Sequence, residues 1–156
     1  MGNSNASEAA GRPAMESTFL GGKVLKRTLP VIQGVPSGET VRVKRLLLPQ
    51  GELAQVFDGP EGMQYLALVE LRAGATRGNH YHKVKQEWLY IFQGEVVLTV
   101  AELDSPAREQ IPLRAGDLAF IPAGTAHAIR TVHPGQALEF AVARFDAADV
   151  YPFRLD

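Results

Sequence analysis

The stretch Gly74-Ala-Thr-Arg77-Gly-Asn-His80-Tyr-His82-Lys-Val-Lys-Gln-Glu87, followed after six residues by Gly94, decides the fold. Two histidines separated by one residue point to the same face of an extended strand, where their imidazoles converge on one ion. On a helix the same spacing would splay them apart. Glu87 lies five residues beyond His82, the wrong parity for that face. The polar segment Lys83-Val-Lys-Gln86 is therefore expected to turn the chain so that Glu87 enters from the adjacent strand, with Leu89 and Ile91 sharing its inward face.

A second stretch, Gly116-Asp-Leu-Ala-Phe-Ile-Pro122-Ala-Gly124-Thr-Ala-His127, reads as a strand, a Pro/Gly turn and a returning strand whose inward residue is His127. Around both stretches, short apolar runs are cut by Gly, Pro and Asp with no sustained helical period, so the core is all-β. The pattern predicts strands at 42–48, 52–57, 64–71, 80–82, 88–92, 95–103, 108–113, 117–121, 127–132 and 137–145, enough for a barrel or sandwich. Alternation over residues 64–72 sends Glu70 and Arg72 to water and turns Tyr65, Ala67, Val69 and Leu71 inward. Tyr65 is thereby a candidate cavity residue.

His80, His82, Glu87 and His127 make a candidate ligand set. Three neutral imidazoles and one carboxylate suit a divalent transition metal such as iron, manganese, nickel or zinc, and suit calcium or magnesium poorly. Four protein ligands on an octahedral ion leave two positions for water or substrate. His133, beside Pro134-Gly135, reads as a surface-turn residue.

Composition narrows the partners. The 156 residues, 46% hydrophobic, suffice for one core. Residues 1–18 carry few large apolar side chains and are expected to form a flexible tail, leaving 19–156 as the domain. Sixteen basic and seventeen acidic residues, net charge -1, offer no basic face to nucleic acid or an anionic membrane. No apolar run approaches the roughly 20 residues of a membrane span. The absence of cysteine agrees with a reducing, cytoplasmic setting and leaves any metal to nitrogen and oxygen ligands.

The two stretches match the cupin motifs G-x5-HxH-x4-E-x6-G and G-x5-PxG-xx-H at every fixed position, so the chain resembles a single-domain, two-motif cupin. The resemblance implies a double-stranded β-helix, a jelly-roll barrel. The second motif often ends in Asn four residues after its His; Thr131 stands there, outside the ligand set. Arg77-Gly-Asn-His80-Tyr-His82-Lys83 is similar to the Arg-Gly-x-His-x-His stretch of cupins in nucleotide-sugar and capsular-polysaccharide pathways. These include dTDP-linked ketoisomerases and the cupin domain of capsule-synthesis reductases. Related 3,5-epimerases share the start but not the second His.

That likeness implies an isomerase or epimerase working on a small, sugar-like molecule, with Arg77 taking a substrate phosphate or carboxylate and Tyr65 moving a proton or orienting the substrate. The ketoisomerases use the two motif histidines as acid and base without a metal. Here Glu87 and His127 complete a quartet, and a ligated imidazole has lost the lone pair that a base needs. Two other classes fit the same residues: an iron-dependent dioxygenase and a binding module without turnover. On the outer side, Trp88, Tyr90 and Phe92 make an apolar stripe that is expected to meet either the N-terminal segment around 24–32 or a second copy in a homodimer.

Overall fold

The computed structural model describes residues 15–35 and 41–156. Two strands organise it, β8 (Glu87–Glu102) and β11 (Thr125–Ala141), which pair with each other along most of their length. The sequence predicts a break in each, at Gln93-Gly94 and at His133-Pro134-Gly135. The structure shows instead two continuous strands bent at those points, where their register shifts. Gly94 has φ +93°, and a Cβ added there would lie 2.7 Å from the His133 carbonyl oxygen. The turn residues thus make one shared bend where the backbones nearly touch, not two hairpins.

The bend divides the nine-stranded sheet into two layers. The first half of β8 and the last part of β11 pair with β10 (Asp117–Ile121) and β6 (Tyr65–Leu71). The other halves pair with β9 (Arg108–Arg114) and β7 (Thr76–Tyr81), and β7 takes β12 (Tyr151–Pro152) on its far edge. Both layers bury one cluster, with Leu89 and Ile91 from one half of β8 against Val96, Leu98 and Val100 from the other. This is the jelly-roll barrel that the motifs imply. Alternation along β6 is as expected: Val69 and Leu71 are buried, and Glu70 is exposed.

Three N-terminal strands escaped the sequence: β1 (Met15–Phe19), β2 (Val24–Thr28) and β3 (Val31–Gln33). Residues 15–18, expected in the flexible tail, form an edge strand paired with β2, and Glu16 bonds Arg27 at 2.6 Å. Backbone pairing at an exposed edge needs no large apolar side chains. Residues 1–14 of that tail lie outside the described residues. β2 docks on β10, where the buried Asp117 accepts from Thr28 Oγ1 at 2.6 Å and from the Arg114 N–H at 2.9 Å.

A small sheet of β3, β4 (Lys44–Leu48) and β5 (Gly51–Gln55) and the chain around it lie over the outer face of the barrel. Leu29, Val43, Ala54, Val56 and Phe57 pack on Tyr90, Leu118, Phe140 and Trp88. Tyr90 is 1% exposed as a result, so the stripe assigned to an N-terminal cover or a second copy is met largely by this chain; only Phe92, 54% exposed, remains open. Phe140 stacks on Trp88 at 5.9 Å and meets Phe57 edge-on at 5.9 Å. Phe140→Ala should therefore lower unfolding free energy by about 3–5 kcal/mol, measured by chemical denaturation, through loss of apolar burial plus the cavity left behind.

Candidate metal centre

The four candidate ligands meet inside the barrel. One ligand atom from each of His80, His82, Glu87 and His127 lies within 4.8 Å of the others. His80 on β7 is the register partner of His127 on β11, which sets their rings 4.8 Å apart, and His82 follows just past the end of β7. Glu87 does not come from the strand beside β7. β11 separates β7 from β8, and Glu87 opens β8 in the opposite layer, so the turn over Lys83–Gln86 carries the chain across the barrel.

Backbone contacts aim the imidazoles. His82 Nδ1 lies 2.7 Å from the Asp149 carbonyl and His127 Nδ1 3.1 Å from the Thr125 carbonyl. A carbonyl only accepts, so each Nδ1 carries a hydrogen and each Nε2 is the atom turned toward the centre. The Nε2 of His127 is 2.8 Å and that of His82 3.4 Å from Glu87. Gly78, with φ +93°, lies so close behind β11 that a Cβ would sit 2.8 Å from the His127 carbonyl oxygen. This explains the glycine after Arg77: only a missing side chain allows β7 and the His127 strand to approach.

The donor set fits a borderline divalent ion. Burial first, then His127 and His82, push His80 down to about 4, so it is neutral and able to ligate at physiological pH. Burial alone would raise Glu87, but hydrogen bonds from His127, His82 and Lys85 hold it well below the carboxylate range. A neutral imidazole and a firmly ionised carboxylate among converging nitrogens are what an N/O site requires.

Three neighbours complete the site. Lys85, only 4% exposed, places Nζ 2.7 Å from Glu87 and 2.9 Å from Glu139, and 4.1 Å from the centre of the Tyr65 ring. Its parity with Glu87 is visible in the sequence, as is the inward parity of Glu139 between the apolar Ala137 and Ala141; treating Lys83–Gln86 as a solvated turn hid the first. Asp149, in a short 3-10 helix (Ala147–Asp149), accepts the backbone N–H groups of Lys83, Val84 and Lys85 at 2.8–3.2 Å. Nothing local in the sequence marks that contact. The ligands line a cavity of about 300 Å³ with Tyr65, Arg77, Glu139 and Phe145. Burial first, then Glu139, raise the Tyr65 hydroxyl, and burial first, then Glu87, raise Glu139. His133 is on the surface, 3.2 Å from Glu95.

A bent β-barrel with an inward His-His-Glu-His cluster defines a class of domain by its fold and its donor set. Residues 67–143 match the family model described as a cupin domain, and both motifs fall within them. Residues 67–143 thus make a cupin domain. The chain is 33% identical over 66 residues to oxalate decarboxylase OxdC of Bacillus subtilis, a match covering 42% of this chain and only 17% of the decarboxylase. It also shares its fold with a dTDP-6-deoxy-D-glucose-3,5-epimerase from Legionella pneumophila, with TM-score 0.67 at 12% identity over 90% of this chain and 77% of that one. A 3,4-ketoisomerase from Helicobacter canadensis gives TM-score 0.61 at 16% identity over 70% and 85%. Among the described residues no helix is long and apolar enough to cross a membrane.

Two variants test the support of the ligands. Gly78→Ala should displace His127 and lower metal affinity by about tenfold or more in a calorimetric titration. Burial raises the Asp149 carboxyl, but the N–H groups of Lys85, Lys83 and Val84 outweigh it and hold the group below its ordinary range. Its stabilising contribution is then full above the ordinary Asp range and is lost as pH falls through the depressed value. Asp149→Asn should lower the melting temperature of metal-free protein at neutral pH, and the gap to wild type should narrow in acid.

Proposed function

We propose that this cupin is a metal-dependent isomerase or epimerase that moves a proton next to the carbonyl of a sugar or nucleotide-linked sugar. One observation carries this: the four-ligand cluster shares its cavity with Tyr65 and Glu139, two groups able to hold or move a proton that are not themselves ligands. A non-catalytic binding module would need neither. The fold relatives named as a 3,5-epimerase and a 3,4-ketoisomerase support the substrate class.

His80, His82, Glu87 and His127 would hold iron, manganese, nickel or zinc, and the ion supplies Lewis acidity that lowers the cost of forming an enediolate. Glu139, ionised beside Lys85 and made a stronger base than an ordinary carboxylate by burial and then by Glu87, is suited to take the proton from the carbon beside the carbonyl. Tyr65, raised by burial and then by Glu139, keeps its hydroxyl hydrogen and is suited to return a proton or to hold the substrate oxygen. Arg77 lies at the exposed side of the same cavity, with no ion-pair partner among the described residues, and is free to take a phosphate or carboxylate. Leu66 and Leu68, both exposed on the outer face of β6, support a homodimer, which a monomeric mass by light scattering would refute.

The test is solvent deuterium exchange. Protein reconstituted with each metal and incubated with a dTDP-4-keto-6-deoxy sugar in D2O should label the carbon next to the carbonyl, and chelation should abolish the label. Tyr65→Phe should retain metal and lose about 100-fold or more in rate. Oxygen uptake by the ferrous protein on a catechol, thiol or diketone, without exchange into any keto sugar, would establish a dioxygenase instead.

A further inference from the structure

The two oxygens of the Glu87 carboxylate have different surroundings. Oε2 faces His127 Nε2 at 2.8 Å, whereas Oε1 accepts from the Lys85 ammonium at 2.7 Å and lies 3.4 Å from His82 Nε2. The same ammonium holds Glu139 Oε1 at 2.9 Å and sits 4.1 Å over the Tyr65 ring. An ammonium has three donors, and here two carboxylates and one aromatic face account for them. Lys85 is 4% exposed, so no water competes for those contacts. A cation placed this way has no donor left for a substrate. What it does is occupy the carboxylate oxygens that would otherwise crowd an ion.

We propose that Lys85 is a positioning residue that keeps the metal centre open: it restricts Glu87 to a single ligating oxygen and holds Glu139 away from the ion as a free carboxylate. Without it, Glu87 can ligate through both oxygens and Glu139 can enter as a fifth protein ligand. Either change removes a position that a substrate with two adjacent oxygens would need. A buried positive charge also repels a divalent ion, so Lys85 weakens metal binding while preserving the open positions. The inference rests on the metal-dependent reading above and assigns its substrate as a bidentate oxygen ligand, such as an α-hydroxy ketone in its enediol form.

The probes are Co2+, whose visible absorption responds to a change of its ligands, and acetohydroxamate, a chelator with two adjacent oxygens. Wild-type protein loaded with Co2+ should bind acetohydroxamate with a spectral change. Lys85→Met should bind Co2+ more tightly and bind acetohydroxamate about tenfold or more weakly. The double variant Lys85→Met/Glu139→Gln has the net charge of the wild type, which separates ligand geometry from charge and keeps the test alive where an unpaired Glu139 unfolds the single variant. It too should lose acetohydroxamate affinity, through Glu87 alone. Acetohydroxamate affinity indistinguishable from wild type in a folded variant, or weaker Co2+ binding by Lys85→Met, would overturn the role of Lys85 and leave the metal reading standing. A wild-type protein that takes up no Co2+ would overturn both.

Discussion

β8 and β11 can bend together only where their backbones nearly collide, at Gly94 and Gly135. A Cβ on Gly135 would lie 2.0 Å from the Gln93 carbonyl oxygen, a distance no side chain tolerates. The ligands depend on this crossing. Glu87 belongs to one layer, His80 and His127 to the other, and a flat sheet would leave them far apart. The glycine that closes the first motif is therefore outside the four-residue cluster yet decisive for it, because it makes the fold-over that brings the layers face to face.

Once the layers close, the interior contains an unusual density of charge for a small barrel. Glu87 is buried beside three imidazoles, and Glu139 and Lys85 lie behind it. A buried carboxylate is tolerable only when paired and hydrogen-bonded. Here every such group has partners: no buried side-chain nitrogen or oxygen among the described residues lacks one. The apolar walls, Leu89, Ile121 and Ile129, keep that network in a low-dielectric setting where its electrostatics act strongly. That setting raises Tyr65 and Glu139, whereas hydrogen bonds hold Glu87 ionised against it, so neighbouring groups acquire different protonation habits from their contacts.

Much of this was legible in the sequence, and the limits have physical causes. Strand parity was enough to converge His80 and His82 and to turn Tyr65 inward, since side-chain direction follows directly from alternation. The rare residues at fixed spacing named the four side chains that meet inside the barrel. Sheet adjacency was not legible: the turn after His82 looks the same whether the next strand lies beside β7 or across the barrel, because pairing is decided by partners far along the chain, His127 for His80 and Phe140 for Trp88. β1 was missed because an edge strand held by its backbone leaves no apolar signature. Lys85 was missed because lysine in a polar run reads as solvated, although its spacing from Glu87 places both on one face.

The tie between Asp149 and the turn after His82 bears on where the functional unit ends. The family resemblance closes at residue 143, and every ligand lies within it. Yet the carbonyl that aims His82 and the carboxylate that gathers three backbone N–H groups both belong to a residue beyond that limit. The barrel and the centre it holds are thus not coextensive. Cupins that share the motifs but differ in the segment after the last barrel strand would carry the same four ligands with different freedom to reorient. The short C-terminal segment is in that sense a tuning element, able to change how rigidly a common centre is held while every motif residue stays the same.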